Sequence, residues 1–169
     1  MTSERLAYNH LSDHQREEID GWLSRFPDHD QGRQSAVIPA LHIAQEGNGG
    51  WLSNELLDAV ADYLNLAPVR VYEVATFYSM FQLQPVGRHK VNICQNISCM
   101  LCGADGLVEH VEQHLGIKLG ETTPDGRITL IPEDECLAAC TEAPMMLVDE
   151  HYYTDLTPEK ATEILDSLE

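Results

Sequence analysis

The residues of this chain best equipped for chemistry are its five cysteines, and all lie in the second half: Cys94, Cys99, Cys102, Cys136 and Cys140. An odd number of thiols argues against a disulfide framework and for metal or redox chemistry. Cys94 and Cys99 form a C-x4-C pair, and Cys136 and Cys140 a C-x3-C pair. Two thiolate pairs on two loops that meet suit a binuclear iron–sulfur cluster, in which bridging sulfides leave each tetrahedral iron two open positions. Zinc also accepts four cysteines, but structural zinc sites favour tight C-x2-C knuckles. Only Cys99 and Cys102 have that spacing.

The run Cys94-x4-Cys99-x2-Cys102 admits another ligand set, because it matches the start of plant-type ferredoxin spacing. Cys136 or Cys140 would then be the fourth ligand and one cysteine would stay idle. Spacing alone leaves these sets open, along with plain buried thiols. Ser98 is the expected N-cap of the following helix, which would set Cys99 at the positive end of its dipole. Amides there and around Gly103 are expected to be free to meet sulfur. No charged side chain occurs from Cys94 to Ala104.

Ten basic and 28 acidic residues among 169 give a net charge of −18. Such a surface repels phosphate backbones and anionic lipid heads, which disfavours nucleic-acid and membrane-surface binding. It also disfavours an added electron, so a low reduction potential is expected of any cluster. The longest uncharged stretches, such as 74–87, fall short of the ~20 apolar residues of a membrane span. The first ten residues, MTSERLAYNH, hold no apolar signal core, so a cytosolic chain is expected.

The elements that must position the cysteines divide near residue 85, and the domains are expected at 1–84 and 85–169. The first is read as a small bundle of three or four helices. Ser12 and Gln15 have capping-box form ahead of an apolar face of Ile19, Trp22, Leu23 and Phe26. A second helix is expected over 35–46, and a third opens at Ser53 with Leu56, Leu57, Val60, Ala61 and Leu64 inward. Pro68 starts a fourth, reaching about Thr76. The second domain alternates as an α/β unit. Strands are expected at 88–94, 127–131, 145–148 and 151–153, with a helix lined by Ala104, Leu107, Val108, Val111 and Leu115. Thr157 and Pro158 open the last helix.

The C-x4-C and C-x3-C pairs, about 36 residues apart, resemble those of the thioredoxin-like 2Fe–2S ferredoxins. The run Glu73-Val-Ala-Thr-Phe-Tyr-Ser-Met-Phe81, with Pro85-Val-Gly-Arg-His89, is similar to the branch formed by the E-type subunits of the NADH-quinone oxidoreductases of respiratory complex I. Gly50-Trp51 and Leu-Ala-Ala-Cys140-Thr-Glu-Ala-Pro144 extend the likeness over roughly residues 15–168. The resemblance implies an α+β chain, a helical domain followed by a thioredoxin-like domain. It implies one 2Fe–2S cluster on Cys94, Cys99, Cys136 and Cys140, with Cys102 outside the ligand set. It further implies an electron-transfer subunit without turnover of its own. Single electrons pass between its cluster and the FMN of an F-type partner, which also holds the NADH site and a 4Fe–4S cluster. A larger iron–sulfur subunit completes the module, which is cytoplasmic and peripheral to the inner membrane through the complex. NAD-linked hydrogenases and formate dehydrogenases contain related chains, and these are alternative hosts. A zinc-stabilised structural module and a free-standing ferredoxin are the competing readings from other classes.

Other residues carry blander expectations. His110 and His114 are read as a solvated helix face, His89 as a surface histidine, and Glu17, Glu18 and Asp20 as solvated. Thr76, Phe77 and Tyr78 are expected to pack at the domain junction, with the partner interface as the alternative. A thioredoxin-like thiol exchange is disfavoured, because no C-x2-C closes the first strand. Ala143-Pro144 precedes a strand with its isomer open. No dinucleotide fingerprint, phosphate-cradling loop or Ser-His-Asp set occurs, so no NADH site is expected in this chain.

Overall fold

A computed structural model describes residues 10–132 and 135–169, in two compact units, residues 1–85 and 86–169. Residues 1–9, most of the stretch read for a signal core, lie outside the described residues.

Five helices build the first unit: α1 (Asp13–Leu23), α2 (Asp30–Ser35), α3 (Val37–Gly47), α4 (Asn54–Tyr63) and α5 (Pro68–Phe77). The capping box forms as expected. Ser12 Oγ accepts from the Gln15 amide at 3.2 Å, and Gln15 Oε1 accepts from the Ser12 amide at 2.8 Å. Ser53 caps α4 by accepting from the Leu56 amide, and Pro68 opens α5. Ile19, Leu41, Leu57, Val60, Leu64 and Val71 are fully buried in one core. Trp22 is a correction: it is 37% exposed, with the Arg25 guanidinium 4.2 Å above its ring, rather than part of the inner face. The expected second helix is α3, and α2, ahead of it, was not expected. His29 Nδ1 accepts from the Gly32 amide and starts α2, and a Cβ on Gly32 would fall 1.9 Å from the Pro27 carbonyl oxygen. Phe77 also departs from expectation, being 77% exposed, with Tyr78 edge-on against it and Thr76 exposed.

The second unit runs β1 (His89–Ile93), α6 (Ile97–Leu101), α7 (Ala104–Leu115), β2 (Ile128–Ile131), β3 (Met146–Val148), β4 (His151–Tyr153) and α8 (Pro158–Ser167). The sheet order is β2-β1-β3-β4. β1 pairs parallel to β2, with Val91 opposite Leu130, and antiparallel to β3, with Ile93 opposite Met146. A parallel pair needs a crossover, and α6 with α7 supply it. Gly116, at φ 68°, ends α7 in the left-handed region where a side chain is disfavoured. All four residues of β2 are buried although it lies at the sheet edge. Residues 120–123 cover that edge: the Leu130 amide donates to the Glu121 carbonyl at 3.0 Å, and Leu130 returns its own carbonyl to the Gly120 amide at 2.7 Å. Val91, Ile93, Leu107, Val111, Leu130, Met146 and Leu165 form the core. Among the described residues no helix is long and apolar enough to cross a membrane.

Several histidines are more engaged than expected. His110 Nε2 meets Thr162 Oγ1 at 2.8 Å and His114 Nε2 meets Asp166 Oδ1 at 2.7 Å, so the pair joins α7 to α8, His110 half-buried and His114 exposed as expected. His89 lies between Asp149 Oδ2 (2.8 Å) and the Glu169 carbonyl oxygen (3.0 Å). Glu17, Glu18 and Asp20 are exposed as expected, and Asp20 accepts from the Tyr63 hydroxyl at 2.8 Å.

Candidate metal centre

Cys94 directly follows β1, where the Cys94 amide continues the antiparallel pairing by donating to the Met145 carbonyl at 3.2 Å. The strand thus delivers this sulfur into the interior, and Cys94 is 2% exposed. Cys99 is the third residue of α6 and is 1% exposed. The cap of α6 corrects the expectation for Ser98: Asn96 is the N-cap, its Oδ1 accepting from the Ile97 amide at 3.0 Å, and Ser98 already lies inside the helix. An asparagine side chain satisfies an orphan amide as well as serine does, so the earlier candidate wins.

Cys136 and Cys140 come from the irregular segment between β2 and β3, the latter opening a single 3-10 turn. Their sulfurs are 3.4 Å apart and both residues are exposed. Two thiolates on one tetrahedral metal with bonds of about 2.3 Å stand about 3.8 Å apart, so this pair is near bidentate spacing. Ala138, at φ 62°, bends the segment back so that its amide donates to Cys136 Sγ at 3.4 Å.

The segment that carries the outer pair packs beside the inner pair. Cys94, Cys99, Ala104 and Met145 are buried together, and Leu137, Ala139 and Ala143, all from the second cysteine segment, pack against them. Burial, reinforced by a hydrogen bond with the Cys94 sulfur and the nearness of Cys94, pushes the Cys99 thiol up to about 11. The Met145 backbone opposes this by hydrogen bonding, and Cys140 is close enough to add to the rise. Thiols in such a pocket are held neutral until a cation arrives to stabilise the thiolates. Among the described residues no three histidine, cysteine or acidic side chains converge on one point. A binuclear centre asks instead for two protein sulfurs per metal, and the chain offers two pairs on neighbouring segments.

The residues present therefore fit a 2Fe–2S cluster by donor type, by pairing and by the apolar wall. The amides expected to meet sulfur around Gly103 do not, because Cys102 and Gly103 donate back into α6. The amides that reach sulfur are those of Ala138 and Met145, one for each pair. Nothing in the Leu-Ala-Ala-Cys run signals this, since a left-handed alanine has no sequence signature. Cys102 is exposed at the C-terminal end of α6. The Ala143-Pro144 bond is cis.

The profile of the thioredoxin-like 2Fe-2S ferredoxin family matches residues 19–169. The chain is 46% identical over 152 residues to an E-type subunit (the one numbered 2) of the NADH-quinone oxidoreductase of Rhizobium meliloti, covering 90% of this chain and 87% of that one. It is 43% identical over 150 residues to the mitochondrial NADH dehydrogenase (ubiquinone) flavoprotein 2 of Dictyostelium discoideum, covering 89% of this chain and 60% of the relative. An air-oxidized NAD+-reducing NiFe hydrogenase shares the fold, with TM-score 0.65 at 20% identity, over 82% of this chain and 24% of the other. With a profile spanning nearly its whole length and relatives of this similarity, the chain belongs to the thioredoxin-like 2Fe-2S ferredoxin family.

Proposed function

We propose that this chain is the 2Fe–2S electron-transfer subunit of the NADH-oxidising module of an NADH-quinone oxidoreductase. It exchanges single electrons with the FMN of an F-type partner, which also binds NADH and a 4Fe–4S cluster, beside a larger iron–sulfur subunit. The module is cytoplasmic and peripheral to the inner membrane. One observation carries the reading: a buried cysteine pair lies against the segment that holds an exposed one, in a chain 46% identical to an E-type subunit of that enzyme. The hydrogenase likeness is in fold alone, at 20% identity, so the respiratory host is the better supported of the two.

Cys94, Cys99, Cys136 and Cys140 would hold the cluster, and when bound it supplies a one-electron site. The chain contributes position and surroundings. β1 and α6 fix the inner pair by backbone pairing and by packing against Met145. Leu137, Ala139 and Ala143 keep water from that pair. The Ala138 and Met145 amides donate toward sulfur, and such bonds stabilise sulfur-borne negative charge. The outer pair stays exposed, which sets it on the side from which an electron partner reaches the centre.

The test is anaerobic purification followed by a visible spectrum, iron and sulfide analysis, and EPR after dithionite. About two irons and two sulfides per chain and a one-electron signal are expected. The signal is retained in Cys102→Ser and lost or altered in Cys140→Ser. A colourless chain holding one zinc would overturn the proposal in favour of a structural module.

A further inference from the structure

The two cysteine pairs differ in access. Cys94 and Cys99 are 2% and 1% exposed, whereas Cys136 and Cys140 are open to solvent with sulfurs 3.4 Å apart. A disulfide needs about 2.05 Å, so a side-chain rotation of little more than an ångström closes the outer pair. The backbone is already bent for it: Ala138, at φ 62°, folds the segment so that the two sulfurs face each other. The same approach at the inner pair requires an oxidant to enter a pocket walled by Ala104, Met145 and Leu137.

We infer that in the metal-free chain Cys136 and Cys140 form a reversible disulfide, closed by a low-molecular-weight thiol disulfide, which withholds this pair from metal until a thiol reductant reopens it. One thiolate of the pair attacks the small disulfide, forming a mixed disulfide and releasing one thiolate. The second cysteine then attacks the protein sulfur of that mixed disulfide and expels the other small thiol. The protein dithiol is oxidised by two electrons, and one small disulfide becomes two thiols. The metal consequence rests on the proposed ligand set; the disulfide itself rests on the geometry alone.

The reduced, metal-free full chain is desalted, treated with glutathione disulfide and digested with trypsin. Cleavage after Lys90, Lys118, Arg127 and Lys160 puts Cys94, Cys99 and Cys102 on peptide 91–118 and Cys136 and Cys140 on peptide 128–160. The chain is expected to lose two of its five thiols, with peptide 128–160 lighter by two hydrogens and peptide 91–118 keeping all three of its thiols. Cys102→Ser behaves the same way, which removes any contribution from that exposed thiol. Cadmium ion then reports on the sulfurs: its thiolate charge-transfer absorbance falls by half or more in the oxidised chain and returns with dithiothreitol. A cross-link between the two peptides, a disulfide within 91–118, or a stable glutathione adduct on 128–160 overturns the inference. Equal cadmium absorbance from oxidised and reduced chains overturns the withholding. If the reduced chain binds no cadmium while 128–160 still closes, the ligand reading is what fails.

Discussion

In the metal-free chain Cys99 is a buried thiol, and the pH dependence of stability is where that becomes measurable. Burial and the neighbouring Cys94 raise its ionisation from an ordinary 9.0 to about 11. In the unfolded chain the thiol loses its proton near pH 9, whereas in the fold it keeps it to about 11. Between those values the unfolded state binds fewer protons, so stability falls as pH rises. The contribution is fully present below pH 9 and lost through 11. Each unit is worth about 1.4 kcal/mol, so a two-unit shift bounds the loss at about 2.7 kcal/mol. Both tryptophans, Trp22 and Trp51, lie in the first unit, so their fluorescence is silent on the second. Urea unfolding of the metal-free, reduced chain is therefore followed by far-ultraviolet circular dichroism at pH values bracketing 9 and 11. Tyr72 and Lys118, both raised, titrate in the same direction, so the informative quantity is the difference between wild type and Cys99→Ala. Cys99→Ala shifts the whole curve down by the lost packing and flattens its alkaline slope. An identical slope in the two proteins would refute the buried-thiol argument.

Two further perturbations test the frame around the site. Gln45→Leu removes a buried side chain that donates to the Met80 carbonyl (3.1 Å) and accepts from the Gln82 amide (2.7 Å). Leaving both backbone groups unpaired costs about 2–4 kcal/mol by tryptophan-monitored urea unfolding, whereas Gln45→Glu, which retains the acceptor, costs less. Thr157→Ala removes the hydroxyl that accepts from the Lys160 amide at the start of α8 and lowers the stability of the second unit by about 1 kcal/mol, with Thr157→Ser restoring most of it.

Elements carried by local chemistry were legible in the sequence. Ser12 with Gln15, Ser53, Pro68 and Thr157 each meet a backbone need within three or four residues, and each opens its helix as expected. What was not legible depends on groups distant in the chain or on unusual donors. α2 is capped by a histidine, a residue type that seldom serves there, and its tight approach to Pro27 requires Gly32. His110 and His114 gain partners only when α8 returns to α7, more than 50 residues later in the chain. On α5 it is Val71 and Ala75 that meet the core of the first unit, while Phe77 is exposed.

The candidate site divides along the same line. Spacing identified two pairs because a pair is a local property: four or three intervening residues bring two sulfurs back toward one another. Burial is a property of the elements behind each pair, and there the pairs part company. Cys94 is anchored by the end of a central strand, and Cys99 by a helix packed beside it, so the inner sulfurs occupy positions the sheet dictates. Cys136 and Cys140 belong to a segment without strand or α-helix, held by three small or apolar side chains and one left-handed alanine. A centre bridging the two would be rigid on one side and adjustable on the other. Were both pairs to hold one centre, the exposed pair is the one an ion in solution reaches without crossing the wall of Ala104, Met145 and Leu137.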